Sequence, residues 1–257
     1  MLFKLKMRLQ GVILPLAIVL IWQLVSSYGL INNYILPSPL HIYLRCIQMA
    51  GNGSLQQNIL ASLIRVGTGF LTALILSIPL GIILGLNKPI KLLINPLLSF
   101  FQQIPGIALI PIFILWLGIE ETSKIAIIVY SAVFPILLNT INGIETTDKN
   151  LIEVAVINGV SKVGLAYRVY LPSMLPSLFV GMRLGLSYCW RSLVAVELLG
   201  ASRGLGYLIQ QGRELAQPET MFLGVLVIGL IGMIFDHLAR RIEGKMVKFK
   251  SNVNKEE

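Results

Sequence analysis

Residues 61–86 read ASLIRVGTGFLTALILSIPLGIILGL, a run with a single charged side chain. A helix that crosses a bilayer needs about 20 consecutive apolar residues, so this run predicts a transmembrane helix. Gly81 and Gly85 have the small-x-x-x-small spacing that lets membrane helices approach closely, and Gly181 and Gly185 repeat it in a later run. The alternative for both pairs is chance spacing, because the chain has 23 glycines.

Five further runs make the same prediction: Val12–Ser27, Leu97–Leu117, Ile125–Ile144, Leu175–Leu198 and Met221–Leu238. The first is short and follows Lys4, Lys6 and Arg8, as in a secretory signal, but no small-x-small cleavage site comes after it. We therefore expect it to be retained. The sequence predicts an all-α membrane protein with six transmembrane helices.

The composition excludes a soluble globule. Of the 257 residues, 55% are hydrophobic and 13% are charged, and the mean hydropathy is +0.79, whereas soluble domains carry about 25% charged residues. A chain this apolar is not intrinsically disordered either. Cys46, Cys189 and two histidines are too few for a disulfide framework or a metal cluster, so we expect neither a metal nor a cofactor.

Basic residues are distributed unevenly between the loops, and such residues accumulate on the cytoplasmic side of a membrane protein. With the N-terminus in the cytoplasm, fourteen basic residues fall on that side and four on the other. The four are Arg45, Lys124, Arg203 and Arg213. We therefore expect both termini in the cytoplasm of a multi-pass protein of the cell membrane. The net charge of +9 then reflects this asymmetry and anionic lipid, and it does not indicate nucleic acid.

Four prolines lie inside the apolar runs: Pro79, Pro105, Pro111 and Pro135. Each removes a backbone hydrogen bond that lipid cannot replace, so a break survives only where protein or water covers it. We therefore expect a bundle with more than an anchoring role.

The motifs of common enzyme chemistries are missing from the sequence. It contains no Gly-x-x-x-x-Gly-Lys-Ser/Thr phosphate loop, no His-Glu-x-x-His and no Gly-x-Ser-x-Gly. We therefore expect a chain that is not itself an enzyme. A proton-coupled carrier would place a carboxylate near the middle of a span, and only Glu197 and Asp236 reach even the ends of the predicted spans.

The loop between the fourth and fifth predicted spans is unusually apolar. It begins LIEVAVING at residues 151–159, which is too short to cross a membrane. The Thr-Asp pair at 147–148 can cap a helix, Gly159 allows a chain reversal, and Ser161 can cap a second helix that Pro172 stops. Apolar surface on such a helix-turn-helix marks a partner site or an amphipathic helix on the inner leaflet. The residues alone leave both readings open.

This loop resembles that of the permease subunits of ATP-binding-cassette (ABC) importers, where Glu-Ala-Ala is followed after three residues by Gly and after nine more by Ile-x-Leu-Pro. The chain has Glu153-Val154-Ala155, then Gly159, then Val169-Tyr170-Leu171-Pro172, with every spacing intact. Val154 and Val169 are conservative departures. The resemblance covers about residues 57–247 and implies the type I ABC importer permease fold.

The resemblance also implies partners. The first loop helix would be a coupling helix seated in a groove of a cytoplasmic ATPase. The transporter would contain two copies of this chain and two such ATPases, and an extracytoplasmic solute-binding protein would deliver the solute. The coupling-loop residues that carry over are Glu153, Ala155, Gly159, Val169, Leu171 and Pro172. We expect residues 1–56 to form a cytoplasmic tail, the first span and an outer loop. Residues 57–247 would form the core with the coupling loop at 145–173, and residues 248–257 a cytoplasmic tail.

Further segments resemble one subgroup of these permeases, which handles sulfonates, taurine, nitrate and bicarbonate and includes relatives for thiamine-precursor pyrimidines. They are Leu36-Pro37-Ser38-Pro39, Trp190 with Val194-Ala195-Val196-Glu197, Gly204-Leu205-Gly206 with Gln210 and Arg213, and Gly232 with Asp236. This implies import of a small oxyanion, with an aliphatic sulfonate or taurine first, nitrate or bicarbonate next, and a heterocycle after these. An ATP-independent carrier or channel is the alternative from another class, and the inverted repeat that would favour it is not found.

Two arginines inside the fifth span are candidates for the translocation pathway. A cation within a span costs about 2.5–3.5 kcal/mol on insertion scales unless it faces water, a partner or an interface. Arg183 and Arg191 are eight residues apart, so a helix places them about 80° apart, on one side. One alternative is functional: the two arginines line the pathway together with Glu197. The other two are structural: the arginines snorkel to the nearer interface, or they pair with Glu197 or Asp236. We favour the structural alternatives.

Overall fold

The computed structural model describes residues 2–29 and 31–253, with side chains described for 13–29 and 31–243. Throughout these ranges the regular structure is helical, which confirms the all-α prediction. The helices are α1 (Leu2–Ser27), α2 (Pro39–Gly51), α3 (Ser54–Leu86), α4 (Lys88–Gln102), α5 (Ile110–Leu117), α6 (Glu121–Glu145), α7 (Lys149–Ile157), α8 (Lys162–Leu165), α9 (Leu171–Gly200), α10 (Leu205–Glu214) and α11 (Pro218–Val253). The predicted tail at 248–257 lies partly outside the described residues.

Four helical segments in the described chain are long and apolar enough to cross a membrane, namely those built on α3, α6, α9 and α11. The run Leu97–Leu117, predicted as one span, is broken in the structure. There α4 ends at Gln102 and a 3₁₀ turn, Gly106–Leu109, leads into α5, so that the chain bends by 84°. The bent pair makes a fifth span if it is counted as one. In α1 the stretch with described side chains, residues 13–27, is also apolar.

The bend has a local cause. Pro105 has no N–H to donate to a continuing helix, and its ring disfavours the helical conformation of the residue before it. Pro105 accordingly adopts φ −61°, ψ 133° at the N-cap of the 3₁₀ turn. By contrast, α3 and α6 continue through Pro79 and Pro135, and Pro111 lies in the first turn of α5.

The chain divides into two compact units, which are described separately: Met1–Ser62 with Ala201–Gly229, and Leu63–Gly200 with Leu230–Glu257. In the second unit α6 is the central helix. Eleven of its residues are buried, and glycines on its neighbours allow close approach. A Cβ at Gly81 of α3 would lie 2.6 Å from Thr140 Cβ, and one at Gly85 would lie 2.8 Å from Ile144 Cδ1.

The opposite side of α6 receives the glycines of α9 in the same way. A Cβ at Gly181 would lie 2.7 Å from Asn139 Cβ and 3.0 Å from the Pro135 carbonyl oxygen, and one at Gly185 would lie 2.8 Å from the Ile136 side chain. Both glycine pairs singled out in the sequence therefore lie at helix contacts, and chance spacing is excluded as their explanation.

Two of the segments that resemble the permease subgroup have local structural roles in the first unit. Ser38 caps α2, its Oγ accepting from the His41 N–H at 3.1 Å, and Pro39 occupies the first turn. The start of α10 is held by side chains of α3, because Asn58 Oδ1 accepts from the Gly204 N–H at 2.7 Å and Ser62 Oγ accepts from the Leu205 N–H at 2.9 Å.

Candidate functional site: the 149–170 loop and the charged groups of the second unit

The helix-turn-helix loop, residues 149–170, is built by local signals that the sequence predicts correctly. Asp148 is the N-cap of α7, and its carboxylate accepts from the Asn150 N–H at 2.9 Å. At the other end Gly159 has φ +72°, the left-handed conformation that glycine adopts without strain. The Gly159 N–H bonds to the Val156 carbonyl and the Val160 N–H to the Ala155 carbonyl, which is a Schellman motif.

The second half of the loop confirms one expectation and corrects another. Ser161 caps α8, with its Oγ accepting from the Gly164 N–H at 3.2 Å. Pro172, however, does not stop the second helix. The chain remains helical through a π-helical segment, Ala166–Tyr170, and Pro172 lies in the first turn of α9. Pro172 has no N–H to donate to this continuing helix. The turn before it is wider, with the Leu171 N–H bonding to the Ala166 carbonyl, and such π-helical irregularities occur at functional sites.

The loop exposes apolar side chains. None of the α7 residues is buried, and Ile157 is 84% exposed. Leu151, Val154 and Val156 are also exposed, whereas Ile152 and Ala155 are half-buried. Glu153 is exposed on the same helix, and a Cβ at Gly159 would meet nothing within 4 Å. The loop therefore combines a capped helix with an exposed apolar surface.

Glu197 and Arg65 form the most buried ion pair among the described residues. Arg65 Nη1 lies 2.6 Å from Glu197 Oε1, and Glu197 is 1% exposed. Arg65 also donates two hydrogen bonds to the Glu121 carboxylate, at 2.6 and 2.8 Å, and Lys124 Nζ lies 3.1 Å from the same group. This four-residue charge cluster ties α3, α6 and α9 together. Sequence reasoning missed it, because the partners of Glu197 considered there were Arg183 and Arg191.

Arg183 is also neutralised. Its guanidinium lies 3.2 Å from Asp236 Oδ1 and 3.0 Å from Glu243 Oε2, both on α11, and Asp236 pairs further with Arg240. The pairing of Arg183 with Asp236 was one of the structural alternatives favoured from the sequence. Nearby, Trp190 packs edge-on against Phe235 and over Gly232, where a Cβ would lie 2.9 Å from the indole nitrogen.

Arg191 differs from both Arg65 and Arg183. Within the described side chains it has no carboxylate at ion-pairing distance, it is exposed, and its guanidinium lies 5.9 Å from the centre of the Tyr188 ring. It lines a cavity of about 390 Å³ in the second unit, between the helix break at 103–105 and helices α6 and α9.

Close contacts shape this cavity. The Tyr130 hydroxyl donates to the Phe101 carbonyl at 2.5 Å, which anchors the end of α4. Ser192 Oγ donates to Ser131 Oγ at 2.5 Å, joining α9 to α6. A Cβ at Gly106 in the 3₁₀ turn would lie 2.5 Å from Ser131 Oγ, so a larger residue there would displace the Ser131 hydroxyl. Across the described residues no group of three or more His, Cys, Asp and Glu side chains could hold a metal ion.

Comparison with known proteins identifies the class. Residues 77–248 match the family of binding-protein-dependent transport system inner membrane components, and the chain belongs to this family. It is therefore a multi-pass membrane permease subunit of an ABC importer and not an enzyme.

Individual relatives of the chain are also transport permeases by name. The chain is 34% identical to a putative aliphatic sulfonates transport permease of Bacillus subtilis (strain 168), over 95% of this chain and 88% of the relative. It is 30% identical to the taurine transport system permease of Escherichia coli (strain K12), over 91% and 86%. It is 31% identical to the bicarbonate transport system permease of Synechococcus elongatus, over 91% and 88%.

A solved structure supports the fold. A chain of the inward-facing MetNI methionine ABC transporter superimposes with a TM-score of 0.67 at 17% identity, covering 77% of this chain and 98% of that one.

Proposed function

We propose that this permease forms a homodimer that imports a small oxyanion, driven by two cytoplasmic ATPases that grip the 149–170 loop. The observation that carries the coupling role is the capped helix α7, whose apolar residues are exposed although the helix is locally well formed. A capped helix with no buried residue contributes little to the stability of its own chain, so its apolar surface is explained best by a partner. An amphipathic helix on the inner leaflet is the alternative.

In this proposal Glu153, Ala155 and Gly159 form the docking helix and its turn. Val169, Leu171 and Pro172 join the loop to α9, since they lie in the π-helical segment and the first turn of that helix. Movement of the docked loop would then pass directly into α9, because no non-helical linker separates α8 from α9.

The membrane arrangement proposed is six spans, with α1 as the first and the bent α4–α5 pair as the third, and with both termini in the cytoplasm. Residues 1–56 hold the tail, first span and outer loop, residues 57–247 the permease core and 248–257 the cytoplasmic tail. An extracytoplasmic binding protein delivers the solute. Membrane lipid contacts the exposed apolar faces.

The proposed solute class is supported by the relatives, whose names specify aliphatic sulfonates, taurine and bicarbonate. We place an aliphatic sulfonate or taurine first and nitrate or bicarbonate next. Of the three proposed pathway residues, Arg191 is the one with unneutralised charge, and Arg183 and Glu197 would flank the pathway as members of ion pairs. A heterocyclic solute, or an ATP-independent carrier or channel, is the alternative.

The coupling role is tested with Gly159→Asp. The backbone there has φ +72° and the Cβ position is open, and Asp tolerates the left-handed region better than most residues, so the fold should survive while the docking surface gains a charge. We expect insertion to be normal and both ATPase binding and transport to be lost.

Gly53→Asp is the matched control, since Gly53 has φ +75° and an equally open Cβ position but lies in the predicted outer loop. We expect it to keep ATPase binding. Normal ATPase binding by the Gly159 variant would reject the docking role.

The solute is tested by thermal stabilisation of the cognate binding protein against taurine, other sulfonates, nitrate, bicarbonate and pyrimidines. Stabilisation by a pyrimidine alone would replace the oxyanion assignment with the heterocyclic alternative.

A further inference from the structure

Two cavities of the second unit share Arg191 and Tyr188, and their charges differ. The cavity of about 390 Å³ beside the helix break has Arg191 as its one charged lining residue. The other cavity, of about 460 Å³, is also lined by Asp236, Arg183 and Arg240. Both of these arginines form ion pairs with Asp236. A negatively charged solute in the first cavity would meet an uncompensated guanidinium and, among its lining residues, no carboxylate.

We infer that the cavity beside the helix break binds an organic monoanion with a short apolar body, and that Arg191 pairs with its charged group. This inference rests on the proposed import function and specifies a site within it. An arginine inside a span is costly unless its charge is met by water, an anion or a carboxylate. Arg65 and Arg183 have carboxylates, so Arg191 is the one of the three with its donors available for a solute.

Polar groups around Arg191 extend the anion site. Ser192 donates to Ser131, whose own hydroxyl donates to the Ile127 carbonyl at 2.9 Å. Rotation about χ1 of Ser192 would turn its proton from Ser131 to a bound anion. A charged oxygen is a stronger acceptor than a hydroxyl oxygen, so an anion favours this rotation. The Gln102 side chain lines the same cavity and carries two further N–H donors.

The rest of the wall is suited to a carbon chain. The cavity that Arg191 lines is also lined by Ile104 of the break, Ile107 of the 3₁₀ turn after it and Phe134 of α6. The volume of about 390 Å³ falls in the usual range for small-molecule sites, roughly 300–1,000 Å³. A solute with an anionic head and a short apolar body would use both parts of the wall. Nitrate and bicarbonate would use only the polar part, so they should bind more weakly.

The first experiment measures ATP-dependent uptake of labelled ethanesulfonate, a monoanion with a two-carbon body, by the complete complex in proteoliposomes. Because hydrogen bonds to a charged group are the strong ones, we expect Arg191→Gln to lower uptake at subsaturating ethanesulfonate by about tenfold to a hundredfold. Arg191→Lys should be intermediate, because lysine keeps the charge but loses the planar fork. Exposed Arg241→Gln removes the same charge away from this cavity and should transport normally. Wild-type uptake by an assembled Arg191→Gln complex would overturn the site.

A second experiment does not depend on transport or on a stable Arg191 variant. Ala195→Cys, on the wall of the same cavity, is introduced into the complete complex after Cys46→Ser and Cys189→Ser have removed the native thiols, and alkylation by N-ethylmaleimide is timed. Ethanesulfonate should slow alkylation of residue 195, choline should not, and nitrate should require a higher concentration than ethanesulfonate. Equal rates with and without ethanesulfonate, or equal protection by choline, would overturn the site, and equal potency of nitrate would overturn the apolar part of the proposal.

The two levels of the proposal fail differently. If the complete wild-type complex hydrolyses ATP but accumulates neither ethanesulfonate, taurine, nitrate nor bicarbonate, the proposed oxyanion import is rejected. If the wild-type complex accumulates ethanesulfonate while Arg191→Gln transports equally well and ethanesulfonate gives no protection at residue 195, the site alone is rejected.

Discussion

The 149–170 loop and the α3–α6–α9 core are both helical, but different forces hold them. In the core, eleven residues of α6 are buried, and glycines on both neighbours bring the backbones together. In the loop, no residue of α7 is buried, and caps at Asp148 and Gly159 define the helix. The core thus depends on contacts between distant residues, and the loop on contacts within a few residues. Mutations should therefore separate the two regions by their effect on stability and on partner binding.

The largest loss of stability is expected from Glu197→Ala in the core. Removing one member of a buried ion pair leaves the other uncompensated, which costs about 3–5 kcal/mol in general. Arg65 keeps Glu121 as a partner, so we expect the lower end of this range. Thermal unfolding of the purified permease in nanodiscs measures the effect.

The control for that prediction is Glu243→Ala, which removes a partner of the more exposed Arg183. We expect a much smaller shift in midpoint. Equal shifts for the two variants would mean that the buried cluster does not stabilise the core.

A second core prediction concerns close packing. Gly181→Ala places a Cβ 3.0 Å from the Pro135 carbonyl oxygen and 3.2 Å from Ile136 Cα, and backbone atoms cannot move aside easily. We expect a loss of about 1–3 kcal/mol, as for other overpacked sites. Gly67→Ala has nothing within 4 Å of its Cβ and should instead stabilise α3, by about 0.5–1 kcal/mol. The same unfolding assay would show opposite signs, and a stabilising Gly181→Ala would contradict the packing described for α6 and α9.

The cap of the loop helix should have a local and smaller effect. Asp148→Ala removes the acceptor for the Asn150 N–H, and losing such a cap costs about 0.5–2 kcal/mol. We expect faster amide hydrogen exchange in α7 and an unchanged unfolding midpoint for the core. Unchanged exchange in α7 would show that the cap does not maintain the helix.

The smallest effect on stability is expected from Ile157→Ser. Its side chain is 84% exposed, and exposed substitutions away from special features usually change stability by less than about 0.5 kcal/mol. Under the proposed coupling role, the same change should weaken association with the ATPase, measured by co-purification. A variant that is destabilised but still binds the ATPase would assign Ile157 to the fold and not to docking.

The sequence predicted features that depend on neighbouring residues. It did not predict the direction of a bend or the pairing of residues far apart in the chain. The sequence predicted a cap at Thr147 or Asp148, a cap at Ser161 and a chain reversal at Gly159, because each depends on two or three neighbouring residues. The structure has these features at Asp148, Ser161 and Gly159. Pro105 was among the prolines expected to break a run, but the 84° bend was not predicted, because hydropathy records how apolar a run is and not which way it points. The pairing of Arg65 with Glu197 spans 132 positions, and nothing near either residue indicates the other.

The sequence by itself determined that the chain is helical, apolar and membrane-embedded, and that its loop is a capped helix-turn-helix, because composition and capping act over short distances along the chain. Only the tertiary structure decided which arginines are neutralised. Ion pairing depends on the distances between helices and on their rotation, and packing sets both. Arg183 and Arg191 lie on one helix eight residues apart, yet α11 supplies carboxylates to Arg183, while no carboxylate among the described side chains lies at ion-pairing distance from Arg191.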